Sequence, residues 1–219
     1  MDKTTERLSR TIWIGVGLVI VILCVTYVLS QIKPRKRPAP PRPVLGQVAD
    51  FTLTNQANQA VTLADLRGKI WVADIIFTRC AGPCPRMTKQ MQSLQEALAG
   101  DGSTRLVTLT TDPEFDSPEI LKKYPERLGL KATDRWMFLT GTKKEIAGLA
   151  IDSLKLTAVE KKPEERTDAD DLFIHSTIFV VVDKQARLRG VFETEGDGIE
   201  WAKVQPAILK AIRQLESER

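Results

Sequence analysis

Ile12 to Leu29, IWIGVGLVIVILCVTYVL, runs for 18 residues without a charge. Nothing else in the chain restricts its fold so sharply. A run of this length and composition satisfies its backbone polar groups in lipid only as a helix. At 1.5 Å per residue it reaches about 27 Å, close to the thickness of a bilayer's hydrocarbon core. A cleaved signal peptide has a shorter apolar region and a small-residue cleavage site. Here SQIKPRKR follows directly, so the run predicts a retained transmembrane anchor over 12–30 after a short tail, 1–11. Trp13 and Tyr27 stand near its ends, where interfacial aromatics belong. Cys24 lies inside the run and reads as a small hydrophobe.

Five prolines fall within residues 34–43. They favour extended polyproline II, roughly 30 Å over those ten residues, and predict a semi-rigid stalk over 31–44. The charge follows the same division. The formal net charge is +4, but the first 43 residues carry +6, leaving −2 for the other 176. The basic character belongs to the tail and stalk rather than to a folded surface, which argues against a nucleic-acid partner. Three basic residues precede the apolar run and five follow it. That bias alone would place the following domain in the cytoplasm.

Residues 45–219 alternate strand and helix patterns. VADFTLTNQANQAVTLADL predicts an entrance hairpin, and KIWVADIIF (69–77) a buried strand. Met87, Met91, Leu94 and Leu98 share one helical face after Pro85, which suits a first helical turn. A strand over 104–111 follows, then a helix capped by Ser117 and opened by Pro118. A third strand (135–141), a short helix (142–150), a hairpin from STIFVVVD and ARLRGVFE, and a terminal helix from Trp201 to Leu215 complete the order. This order, with a cysteine pair between the first central strand and its helix, predicts an α/β fold. It is a thioredoxin-like three-layer sandwich with a C-terminal β-hairpin and helix, preceded by a single N-terminal transmembrane helix. The charged stretch 160–171 reads as a solvated loop.

Chemistry concentrates on FTRCAGPCPRM (77–87). Three cysteines do not make a disulfide scaffold. Cys80 leaves the strand and Cys84 opens the helix, whose N-terminal partial charge favours thiolate. Thiolate both binds metal and attacks disulfides. The three-residue gap is one longer than a redox C-x-x-C and lets the sulfurs splay around an ion. His175, the only histidine, begins STIFVVV by this reading, and no proline lies between Pro163 and Pro206 to fill the place of a thioredoxin cis-proline. Two thiolates and an imidazole suit Cu(I). Zinc would want a fourth ligand, from Asp112 or water. A redox pair with a structural histidine satisfies the same residues. A thiol peroxidase fits poorly, because Thr78 stands two rather than three residues before Cys80. Asp116 reads as a plain turn or capping residue, and Asp112 as a loop cap.

Four segments in order resemble the Sco/SenC family, the copper proteins of cytochrome c oxidase assembly: FTRCAGPCPRM, TTDPEFDSPEILKKY (110–124), WMFLTGTKKEI (136–146) and HSTIFVVVDKQARLRGVF (175–192). The likeness spans about residues 45–215 and includes an N-terminal anchor. It implies Cys80, Cys84 and His175 as ligands of one copper ion, Cu(I) or Cu(II), and Asp112 as a residue supporting or recognising the site. The implied function is a membrane-anchored copper chaperone serving the binuclear copper site of an oxidase subunit. The alternative is a thiol–disulfide reductase using the redox pair Cys80 and Cys84. Its domain would face the periplasm, against the flanking charges. The chain departs from the family's pattern at Ile174, where Asp usually precedes the histidine, at Ala81 in place of Pro, at Asp74 in an otherwise apolar strand, and at Gln185-Ala186 in a hairpin turn usually made with Gly.

Overall fold

The computed structural model describes residues 3–31, 40–165 and 173–218. It divides the chain into two units, meeting between Pro40 and Pro41. The first is helix α1 (Lys3–Gln31). Its segment Ile12–Ser30 is long and apolar enough to cross a membrane. The large apolar side chains from Ile12 to Leu29 are exposed rather than packed.

The second unit is built on an eight-stranded mixed sheet. Its strands in chain order are β1 (Gly46–Gln47), β2 (Thr52–Asn55), β3 (Ala60–Thr62), β4 (Trp71–Ile76), β5 (Arg105–Thr110), β6 (Trp136–Thr140), β9 (Ile178–Val182) and β10 (Arg187–Glu193), and the spatial order is β1-β10-β9-β4-β5-β6-β2-β3. β4, β5 and β6 are parallel, while β9 runs antiparallel beside β4. All six residues of β4 are buried, as a central strand covered on both faces requires.

The period-2 alternation of β4 divides the core. Trp71, Ala73 and Ile75 face one layer, with Leu63 and Leu66 of α2 (Leu63–Leu66) and Ile146 of α5 (Lys143–Ala147). Val72 and Ile76 face the other, where α3 (Cys84–Ala97) lays down Met87, Met91 and Leu94. α4 (Pro118–Arg127) adds Leu121 and Tyr124 there, and α6 (Trp201–Ser217) adds Ile208, Ile212 and Leu215. The thioredoxin-like three-layer sandwich expected from the element order is the observed architecture. Ser117 caps α4 through the Ile120 N–H, and Pro118 opens the helix.

Several local expectations change. The helix from Thr142 does not stay α-helical to Ala150: after Ala147 it continues as a π-helical turn, Gly148–Ser153. His175 does not begin the long strand. It ends a short strand of its own, β8 (Phe173–His175), which pairs with β7 (Ala158–Glu160) in a separate ribbon, and β9 starts only at Ile178. The charged stretch therefore begins in β7 and passes through one 3-10 turn, Pro163–Glu165; its remainder, 166–171, lies outside the described residues. Antiparallel backbone pairing holds the two ends of this excursion together, which no local pattern announces.

Next to the edge strand β1, β10 carries a bulge between Leu188 and Gly190. The extra residue, Arg189, turns inward. Its buried guanidinium donates to Asp183, Glu218 and the carbonyls of Arg42 and Pro43. The last residues of the expected stalk are thus bonded into the sheet unit.

Candidate metal centre

β4 delivers the chain to the site. Phe77 and Thr78 continue inward and are buried, Arg79 and Cys80 are half-buried, and Ala81 and Gly82 are exposed. A turn closes from the Cys80 N–H to the Phe77 carbonyl at 3.2 Å. α3 then starts at Cys84, with Pro85 in its first turn and the Pro83 carbonyl accepting from the N–H groups of Arg86 and Met87 at 3.0 Å. Thr88 donates its hydroxyl to the Cys84 carbonyl at 2.8 Å.

The two sulfurs differ in setting. They share a side-chain hydrogen bond and no disulfide. Cys80 reaches solvent, while Cys84 is fully buried in the core cluster that also holds Ile76, Phe77 and Met87. The helix N-terminus favours thiolate at both sulfurs, and at Cys84 burial works against it. Burial pushes its thiol well up, the neighbouring Cys80 sulfur and the Asp74 carboxylate add to the rise, and a backbone hydrogen bond with Phe77 opposes it only in part. Desolvation is the largest cause of that rise.

Asp74, the polar interruption of β4, lies on the same sheet face as Val72 and Ile76 and is wholly buried. Thr108 donates its hydroxyl to Asp74 Oδ1 at 2.6 Å, and Trp136 Nε1 donates to Thr108 Oγ1 at 2.9 Å. A buried carboxylate requires such partners. Tyr124, whose hydroxyl contacts Thr88, has its phenol pushed up, first by burial and then by the charges of Cys84, Cys80 and Asp74.

The loop leaving β5 reaches back to the residues before Cys80. The Asp112 carboxylate, almost fully buried, pairs with the Arg79 guanidinium at 2.5 Å. That guanidinium also lies 4.2 Å from the centre of the Phe115 ring. Asp112 does more than cap a loop: it grips the residue adjoining a cysteine. Asp116 departs further from expectation. It is a buried acceptor for the Thr78 N–H at 3.1 Å and for the hydroxyls of Thr78 and Thr110, more than a plain turn or capping residue. The Asp-Pro-x-x-Asp spacing marked both acids in the sequence. Nothing local told that the second would reach a residue 38 positions earlier.

His175 ends β8 opposite Ala158. Its side chain lies outside the described part of the structure. Among the described residues no three His, Cys, Asp or Glu side chains converge for a metal ion. The backbone gives the placement. β9 pairs antiparallel with β4, Ala73 opposite Val180, so the start of β9 and the end of β4 lie at one end of the sheet. His175 stands three residues before β9 and Cys80 four residues after β4.

Comparison with known proteins gives a consistent assignment. Residues 42–210 match the SCO1/SenC family model. The SCO1 protein homolog of Bacillus subtilis is 36% identical over 189 residues, 84% of this chain and 90% of that protein. The fold is similar to that of BsSco, described as a member of the Sco family of cytochrome c oxidase assembly proteins with a disulfide switch. The TM-score is 0.62 at 32% identity, covering 78% of this chain and 97% of that one. It is also similar to ScoI of Bradyrhizobium japonicum, whose structure was determined with copper bound. There the TM-score is 0.61 at 23% identity, covering 78% and 98%. With a family model spanning most of the chain and a relative at this identity, the protein belongs to the SCO1/SenC family.

Proposed function

We propose that this protein is a membrane-tethered copper chaperone that binds one copper ion through Cys80, Cys84 and His175 and hands it to the copper-bearing subunit of a cytochrome c oxidase. The observation that carries the reading is the reduced cysteine pair at the β4–α3 junction, one sulfur half-exposed and one buried, in a chain of this family. A soft donor set of two sulfurs and an imidazole suits Cu(I). Copper is the cargo, and the protein's contribution is ligand exchange. Cys84, held in the first turn of α3, keeps a fixed sulfur. Cys80, open to solvent, is the sulfur an incoming acceptor thiolate meets first. Asp112 supports the pair through Arg79. The domain plan is a tail (1–11), a bilayer anchor (12–30), a stalk (31–44) and the copper domain (45–219), with the domain on the periplasmic face of the inner membrane. A tether of this kind raises the domain's effective concentration near a membrane-bound acceptor.

The direct test is transfer. The full-length chain in detergent, loaded with one Cu(I), is mixed with the copper-free soluble domain of an oxidase copper subunit. Copper is then counted on each protein after separation. Movement to the acceptor is expected, and retention of the whole load by the donor would contradict the reading.

A second reading has its own support. The asymmetry of the pair suits thiol–disulfide exchange, and BsSco, 32% identical, is described as carrying a disulfide switch. The Cys80 thiolate would attack a substrate disulfide and release one substrate thiol. Cys84 would then displace the second, leaving a Cys80–Cys84 disulfide and a substrate reduced by two electrons. Reduction of an oxidised acceptor subunit by stoichiometric, copper-free protein supports this reading, and no loss of substrate disulfide counts against it.

A further inference from the structure

The Asp116 carboxylate is a buried acid near the site that neither the ligand set nor the Arg79–Asp112 pair uses. It is fully enclosed, and its partners are the Thr78 N–H, the Thr78 hydroxyl and the Thr110 hydroxyl. Among the described residues no lysine or arginine pairs with it. Its own backbone is held by an N–H bond to the Asp112 carbonyl at 2.8 Å, directly before the Ser117 cap of α4. The acid therefore ties the start of α4 to the residue two before Cys80.

That tie matters because of how the pair is held. Cys84 is fixed by α3 and its packing. On the other side, Ala81 and Gly82 are exposed, and the turn closing on Cys80 rests on the Phe77 carbonyl. The place of Cys80 thus depends on the place of Phe77 and Thr78. We infer that Asp116 is a positioning residue for the cysteine pair: by fixing the backbone and hydroxyl of Thr78 it sets where Cys80 stands relative to Cys84. This deepens the proposed function and rests on the reading of the pair as the working site.

Its role is geometric rather than electrostatic. That geometry is set by the bonds to Thr78 and Thr110; burial pushes the carboxyl up, and the three hydrogen bonds oppose the rise only in part. An asparagine fits the same bonds. Its carbonyl takes the Thr78 N–H and the Thr110 hydroxyl, and its amide donates to the Thr78 hydroxyl, which turns to accept. An alanine leaves three buried donors without an acceptor.

The test uses full-length protein in detergent, as wild type, Asp116→Ala, Asp116→Asn and Thr78→Val, with three measurements. These are Cu(I) affinity against a competing chelator, the Cys80–Cys84 disulfide equilibrium with glutathione in the absence of copper, and the melting temperature. Asp116→Ala is expected to lower Cu(I) affinity about tenfold. The glutathione equilibrium should move by a similar factor, about 30 mV. Asp116→Asn should stay near wild type in both. Thr78→Val, which keeps the shape and the N–H bond, should shift both in the same direction by less, and it decides the matter if Asp116→Ala does not fold. A fall in melting temperature with both constants unchanged, or an Asp116→Asn loss equal to that of alanine, overturns the inference. If wild type binds no Cu(I), the copper reading fails separately, and the glutathione equilibrium alone decides the positioning role.

Discussion

Cys80 and Cys84 are neighbours in chemistry and opposites in access. Cys84 is buried in the first turn of α3, its thiol pushed up by burial; Cys80 opens to solvent. A maleimide added to the reduced Cys24→Ser protein should therefore modify Cys80 first, with Cys84 slower by roughly tenfold or more. Peptide mass spectrometry over time reads the order, and equal rates at the two sites would contradict it. The ligand candidates were legible as residue types, because sulfur in a strand-to-helix gap is rare enough to notice. Their settings were not. Cys84 is buried in a cluster that brings Ile76, Phe77 and Met87 together with residues of distant elements, and Asp74 accepts from Thr108, on the next strand. The role of Asp116 was hidden for the same reason: its bonds cross 38 residues to Thr78. Tertiary contact, not spacing, gives these polar groups their roles.

Among the elements, the long strands and helices were legible, because β4 is a continuous apolar run and α3 and α4 show helical spacing behind Pro85 and Ser117–Pro118. The β7–β8 ribbon was not. Its strands are three residues each, and their pairing is a matter of register between distant segments. The bulge of β10 was equally hidden, since ARLRGVFE reads as an even strand. The bulge makes Arg189 the centre of a buried ionic cluster with Asp183 and Glu218. At Asp183, burial alone would raise the carboxyl's pKa, but the Arg187 N–H and the Arg189 and Arg187 guanidinium groups outweigh it and hold it below the ordinary value. The folded protein thus releases this proton more readily than the unfolded chain. Its stabilisation is present above the ordinary value of 3.8 and is lost as pH falls through the lowered one. Asp183→Asn should cost about 3 kcal/mol near neutral pH, the loss expected when one partner of a buried ion pair goes. The gap between the two proteins should narrow below about pH 4. Urea unfolding across that range measures both, and a gap independent of pH would contradict the assignment.

The whole molecule is a helix suited to lipid and a sheet unit with its own two-sided core. That division was plain in the sequence because charge, proline and hydropathy all change between residues 30 and 45. Where the stalk becomes domain was less plain. Arg42 and Pro43 belong to a proline-rich run, yet their carbonyls accept from the buried Arg189 and the Arg42 N–H donates to Glu218 at 3.1 Å. A fragment beginning at Pro41 should therefore be more stable than one beginning at Leu45, by about 1–3 kcal/mol for the acceptors withdrawn from a buried guanidinium. Denaturant midpoints compare the two, and identical midpoints would show that the segment adds nothing. Residues 41–44 of the proline-rich run thus belong with the sheet unit.

The central claim, that Cys80, Cys84 and His175 hold copper together, is tested most directly by titrating Cu(I) into the reduced full-length protein against a competing chelator. One tight equivalent is expected, abolished in Cys80→Ser and in Cys84→Ser and weakened by about 10- to 100-fold in His175→Ala. Undiminished copper retention by the two serine variants would contradict the account.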